Sequence, residues 1–434
     1  MSMKQYLLTP GPTPVPDRVL LAMAQPVLHH RMPAFSKIFS EAVDGLAWIY
    51  QTAGRPIILN GSGTAAMEAA VVNLMSKGDT ALVAHSGKFG ERWVELCKAY
   101  GIATVEVKAP YGDAIDPAAV DKALSENPGI KAVFMQANES STGVRQPYEA
   151  VAKLVQARPD VLLVVDAVSA LGAWDIPMDT LGIDALVTGS QKALMLPPGL
   201  AFIALSERAW ARQAKSDLPK YYLNLATERK AQANGETAWT PGVSLIIGLR
   251  EALAMLKEEG LPAIFARHDA LARATRAAMA AAGLEFFARA PSPTVTAIKA
   301  PKKADGTVID TDALVKHLRG TYGVSIVGGQ GSMKGQVFRV AHLGYYGPFD
   351  ILTVCTALEM SLKDLGCNVE LGKSVAAAEE ILSAWRKQAK SDASDEEPAG
   401  AKSTVSDEEH RATSPVERLA AEIQLRSRMG EKEV

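Results

Sequence analysis

The 434-residue sequence predicts an α/β fold. A large domain with a mainly parallel seven-stranded sheet between helices is followed by a smaller α+β C-terminal domain. Three observations predict it. Residues 56–300 alternate short β-rich runs with helix-sized segments, the pattern of strands joined by crossover helices. Runs such as VLLVV before Asp166 are continuously apolar, which suits a sheet covered on both faces. After about residue 245 the order changes to two long helical segments and then a mixture of strands and helices.

The first strand is PIILN (56–60) and the second TALVAH (80–85), with a helix over 64–76 between them. ATVEV (103–107), KAVFMQA (131–137), VLLVVD (161–166), DALVTG (184–189) and AFIAL (201–205) complete the seven. Helices over 90–100, 116–126 and 147–157 fill the intervals. Residues 244–259 and 262–282 are rich in Ala, Leu, Arg and Glu and predict two long helices. Then come a strand at 294–300, a helix near 311–320, strands at 324–329 and 337–344, and a helix over 349–364 that runs on or resumes through Trp385. The expected division is a segment over 1–20, a large domain over 21–260, a small domain over 261–388 and a tail over 389–434. Residues 391–434 hold eleven acidic against six basic side chains and no aromatics, so they are expected to be disordered. The exception is 415–428, where Val416, Leu419, Ala420 and Ile423 fall at helical spacing.

Composition bounds the function. Charged residues make up 22% and the formal charge is −2, which argues against nucleic-acid or anionic-membrane partners. The N-terminus MSMKQYLLTPGP has no apolar stretch of signal-peptide length, and no run approaches a membrane span. Cys97, Cys355 and Cys367 form no CxxC motif, and the seven histidines include no His-x-x-x-His pair. A cytoplasmic protein without a metal site is expected.

In open α/β sheets, ligands gather at the carboxyl ends of the strands. Three such ends carry polar groups. In LNGSGTAAMEAA (59–70) a strand runs through Gly61-Ser62-Gly63-Thr64 into a helix, whose free N–H groups and dipole attract an anion. Taken alone, an ordinary capped helix start explains it as well. Asp166 ends an apolar strand, where a carboxylate is costly without a cationic partner; a surface cap is the alternative. Lys192 follows Gly189-Ser190 and precedes Ala193-Leu194-Met195-Leu196, a setting for a desolvated amine of lowered pKa. A solvated surface lysine is the commoner case. On the strand VFRVA, alternation places Val337, Arg339 and Ala341 on one face. An arginine there needs a carboxylate, whether from a ligand or from a structural ion pair.

The sequence resembles the class V aminotransferases of fold type I, in particular the alanine–glyoxylate and serine–glyoxylate (serine–pyruvate) branch. The matching pieces are LTPGPTPVP (8–16), NGSGTAAMEAA (60–70), NESSTGV (138–144), VVDAVSALG (164–172), TGSQKALMLPPG (188–199), SPTVTAI (292–298) and GGQGSMKGQVFRVAHLGY (328–345). The likeness covers roughly residues 5–385. It implies pyridoxal 5'-phosphate as cofactor, with Lys192 as the Schiff-base lysine and proton shuttle and Asp166 as partner of the pyridine nitrogen. Ser62, Gly63, Thr64 and Gln191 would hold the phosphate, and Ser140 would donate to the phenolic oxygen. Val168 would press on one face of the ring and Phe89, where some relatives have Trp, on the other. Thr240 would reach the phosphate in the partner subunit of a homodimer. Thr237 aligns with a tyrosine that does the same in some members, which puts that contact in doubt. Arg339 would clamp the substrate's α-carboxylate, and Gly11, in the N-terminal segment, would line the pocket.

No second arginine stands out as a receptor for a side-chain carboxylate, so alanine or serine is the expected donor and glyoxylate or pyruvate the acceptor. A phosphonate-specific aminotransferase of the same fold is the alternative. A cysteine desulfurase would need a cysteine in GGQGSMKG (328–335), which has none. Some close relatives look like proteins labelled as soluble hydrogenase subunits, but three isolated cysteines cannot supply the ligands of nickel–iron or iron–sulfur centres.

Overall fold

In the computed structural model, which describes residues 4–395, the seven apolar runs form one sheet. Its strands are β1 (Ile57–Gly61), β2 (Thr80–His85), β3 (Ala103–Lys108), β4 (Ile130–Gln136), β5 (Leu162–Asp166), β6 (Ala185–Gly189) and β7 (Gly199–Leu205). Across the sheet the order is β1-β7-β6-β5-β4-β2-β3, with β7 antiparallel to both neighbours and every other pair parallel. The parallel strands therefore bring Gly61, His85, Gln136, Asp166 and Gly189 to one edge.

Each face of the sheet buries its own core, because successive side chains of a strand point to opposite sides. Leu163, Val165, Leu186 and Phe202 pack with Leu46 and Ile49 of the helix Pro33–Tyr50 and with Leu249 and Leu253 of the helix Val243–Glu259. Leu162, Val164, Val187 and Ile203 pack on the other side with Ala66, Met67 and Ala70 of the helix Gly63–Leu74 and with Trp93. The helix Pro33–Tyr50 is not among the expected elements. Its buried Phe35, Phe39, Ala42, Leu46 and Ile49 nevertheless recur at three- and four-residue steps, the signature of a helix packed on a sheet.

The C-terminal region has its own three-stranded antiparallel sheet, in which Val337–Ala341 lies between Val295–Lys299 and Val327–Gly328. The single strand expected over 324–329 is divided. Val324–Ser325 pairs with Tyr6–Leu7, Val327–Gly328 joins the three-stranded sheet, and the buried Ile326 lies between them in the C-terminal core. The helix Pro348–Asp364 stops before Gly366, at φ +88°, and a further helix spans Lys373–Asp395. The chain divides into two units, Met1–Trp385 and Arg386–Val434. Of the tail expected to be disordered, residues 391–395 are helical, and the rest, including 415–428, lies outside the described residues. No helix among the described residues is long and apolar enough to cross a membrane.

Candidate active site

The edge formed by the parallel strands gathers most of the expected residues. β1 passes through Ser62 directly into the helix Gly63–Leu74, and the Ser62 side chain makes no capping hydrogen bond. The capped-start alternative therefore does not hold here: the first amides of this helix are left without a side-chain acceptor. The small residue at Gly63 is required, because a Cβ there would lie 2.6 Å from Cγ2 of Val168, the second residue past β5. A Cβ at Gly189 would lie 3.0 Å from Gln191 Oε1 and 3.2 Å from the Gly63 amide nitrogen. Gln191 Oε1 is buried and has no hydrogen-bond partner. Gly63 thus lies close to Val168 and to Gly189, beside which the unsatisfied Gln191 Oε1 also lies.

Asp166 is 5% exposed, and its Oδ1 accepts a hydrogen bond from the Val168 amide at 2.8 Å. No cation among the described residues reaches ion-pair distance. Burial, with a smaller push from the Glu139 charge, raises its pKa to about 7. Lys192 lies in the turn after β6. Its side chain is half-buried but its amine is enclosed and donates to the Pro10 carbonyl. Desolvation, and then the nearby Arg339, lower its pKa to about 8 against the pull of Asp166. The N-terminal segment is tied to this turn: Thr13 N donates to Gln191 O at 3.2 Å and Thr13 Oγ1 to Lys192 O at 3.0 Å. Gly11, at φ +137°, lies so close that any Cβ would collide with the Lys192 amine.

Arg339 is 3% exposed. Its Nη1 donates to Ser140 O at 2.8 Å, and Nη2 and Nε donate to Gly328 O at 2.8 and 3.2 Å. Among the described residues no carboxylate pairs with it, so the structural ion pair has no partner here. Burial lowers its pKa to about 10, and Glu139 only partly opposes this.

Glu139 was not singled out from the sequence. It is fully buried, and its carboxylate accepts from the amides of Phe89, Gly90 and Ser141 and from the Ser141 hydroxyl. It thereby joins the start of the helix Lys88–Ala99, which carries Phe89, to the turn that carries Ser140. Arg92, three residues after Phe89, was also missed. Its guanidinium lies 5.0 Å from the Phe89 ring centroid, and its Nη1 donates to Thr64 Oγ1 at 3.1 Å. The spacing of Phe89 and Arg92 on one helical face was the available signal.

Thr240 is exposed, and its carbonyl accepts from Asn60 Nδ2 at 2.9 Å. With Val27, Leu28 and His29 it borders an open depression of about 610 Å³. Thr237 is buried and its hydroxyl donates to the Trp239 carbonyl at 2.7 Å, which leaves it no hydroxyl proton to donate outward.

The family model described as aminotransferase class-V matches residues 5–332. The chain is 42% identical over 389 residues to the soluble hydrogenase small subunit of a Synechococcus species, covering 88% of this chain and all of that one. It is 35% identical to the serine–glyoxylate aminotransferase of Methylorubrum extorquens, over 87% of this chain and 96% of the relative. Among solved structures it resembles pyridoxamine-pyruvate aminotransferase from Mesorhizobium loti, with a TM-score of 0.83 and 33% identity over 88% of this chain and 98% of that one.

Proposed function

Because the chain belongs to the class-V aminotransferase family, we propose that it is a pyridoxal-phosphate-dependent homodimer that moves the amino group of alanine or serine to glyoxylate or pyruvate. One observation carries this reading: a buried carboxylate at the sheet edge and a buried guanidinium, neither with a charged partner at ion-pair distance among the described residues, both act on an enclosed lysine amine. Uncompensated buried charges are costly unless a ligand completes them. The chain's residues fit the cofactor at three points. Asp166 stands where a protonated ring nitrogen would satisfy it, the Lys192 amine is desolvated, and the uncapped start at Ser62–Thr64 suits an anion, with the Gln191 side-chain amide, its Oε1 unpartnered, nearby. When bound, the cofactor supplies a carbon that bonds an amine and a ring that accepts the electrons of the Cα–H bond.

Each residue then has a task. Asp166 holds a proton on the ring nitrogen. Lys192, with a pKa near 8, is partly neutral at physiological pH, so it can take the Cα proton and return it one position away. Gly11 leaves room for that amine to move. Arg339 would offer a planar fork to the substrate's α-carboxylate and so orient the bonds at Cα. Val168 and Phe89 would bound the ring's two faces, and Ser140, whose carbonyl accepts from Arg339, would bind the phenolic oxygen. Thr240 lies at the margin of an open depression lined also by Val27 (71% exposed), Leu28 and Leu245, which a second copy would cover.

An absorbance titration tests the reading. Added pyridoxal 5'-phosphate is expected to give a protein-bound visible band that alanine or serine bleaches and glyoxylate or pyruvate restores. Absence of the band, or bleaching by aspartate alone, would contradict it.

A further inference from the structure

We infer that Arg92 is the cation of the phosphate cradle, placed there through Thr64 and through the ring of Phe89. The inference rests on the reading above, in which Ser62, Gly63, Thr64 and Gln191, with Thr240 of a second copy, hold a phosphate. All five are neutral, whereas a phosphate monoester carries nearly two negative charges at neutral pH. Amides and a helix dipole supply partial charge only.

Among the described residues, Arg92 is the charged side chain that bonds to this set: its Nη1 donates to Thr64 Oγ1 at 3.1 Å. Its plane lies over Phe89, 5.0 Å from the centroid, which holds the guanidinium without using its remaining donors. The nearest carboxylate in sequence, Glu91, is occupied by Lys88 at 2.5 Å and by the Tyr111 hydroxyl. Among the described residues Arg92 has no carboxylate of its own. Arg92 is half-buried, and its positive charge is felt at both Asp166 and Lys192. A guanidinium with free donors next to an uncapped helix start suits a bidentate contact to a phosphate.

The test compares binding of pyridoxal 5'-phosphate with binding of pyridoxal, which lacks the phosphate, to the apo form of the full chain. Absorbance and tryptophan quenching report both. Arg92→Met keeps the stem against Phe89 and removes the charge, and Arg92→Lys restores a charge without the fork. Arg92→Met is expected to weaken pyridoxal 5'-phosphate about ten- to a hundredfold and leave pyridoxal within about twofold, with Arg92→Lys intermediate. Inorganic phosphate should raise the melting temperature of the wild-type apoprotein and not that of Arg92→Met. Equal losses for both ligands would make Arg92 a support for Phe89 alone, and unchanged affinity for both would remove it from the cradle. Either result overturns the inference while leaving the cofactor reading intact. A wild type that binds neither ligand would overturn both. Should Arg92→Met not fold, Arg92→Lys carries the test: a reduced preference for pyridoxal 5'-phosphate over pyridoxal supports the inference, and a wild-type preference overturns it.

Discussion

Two helices begin at the same edge of the sheet and treat their first amides in opposite ways. At the start of Lys88–Ala99 the amides of Phe89 and Gly90 are met by the buried carboxylate of Glu139. At the start of Gly63–Leu74 the Ser62 side chain bonds nothing, although Asp116, Ser206, Asn224 and Asp310 each cap their own helices in the same chain. The difference assigns two uses to one kind of structure. Where a rigid platform for Phe89 and Ser140 is needed, the protein supplies the anion itself. On the function proposed above, an anion arrives with a ligand at the other start, and there the start is left open.

That contrast can be broken in several ways, and the largest effect is expected at the lysine between the two starts. Lys192→Ala should reduce turnover below detection and remove the visible band, since among the described residues no other amine is seen beside Asp166 and Arg339 to hold and move the proton. Wild-type transamination by this variant would leave the open start without a chemistry to serve.

Arg339→Ala should keep the cofactor band but raise Michaelis constants for every amino and oxo acid, a loss on the order of 2–5 kcal/mol. Lysine should rescue poorly because it lacks the fork. A normal Michaelis constant for alanine together with a lowered melting temperature would make Arg339 structural.

The pH dependence of apoprotein stability sharpens the comparison. Asp166 has its pKa raised from 3.8 to about 7 by burial. Its folded form binds the proton more tightly than the unfolded chain does. Its contribution is therefore fully present below about pH 4 and is lost as pH rises toward 7, a change on the order of 4 kcal/mol. Asp166→Asn should flatten the slope in that window when chemical denaturation is followed from pH 4 to 8, and an unchanged slope would assign it to other groups.

Glu139→Gln should cost about 1–3 kcal/mol in thermal stability, because amides aimed at a carboxylate lose an acceptor. It should also lower the Asp166 pKa, since the Glu139 charge helps to raise it. A variant with unchanged stability and slope would show that the closed start does not need its carboxylate.

The sequence made parts of this arrangement legible and hid others for physical reasons. The strands were readable because β5 and β6 are buried on both faces and so are continuously apolar. Asp166, Lys192 and Arg339 stood out as polar residues in apolar settings. Glu139 sits in the quoted string NESSTGV, yet nothing local tells that its carboxylate reaches back fifty residues to Phe89 and Gly90. Arg92 depends likewise on Thr64, twenty-eight residues earlier. The division of the strand at Ile326 follows from tertiary packing, since each half satisfies its backbone on a different sheet. Thr237 aligned with a contact residue by position alone, and its hydroxyl turns inward.

The most direct test of the contrast is Ser62→Asp, which gives the open helix start the anion that the other start already has. A carboxylate there interacts favourably with the helix dipole, worth roughly 0.3–1 kcal/mol, so the apoprotein's melting temperature should hold or rise slightly. The same carboxylate should repel an incoming phosphate. The variant is therefore expected to bind pyridoxal 5'-phosphate at least about a hundredfold more weakly than wild type while binding pyridoxal nearly as well. A stable Ser62→Asp protein that keeps wild-type affinity for pyridoxal 5'-phosphate would contradict the account.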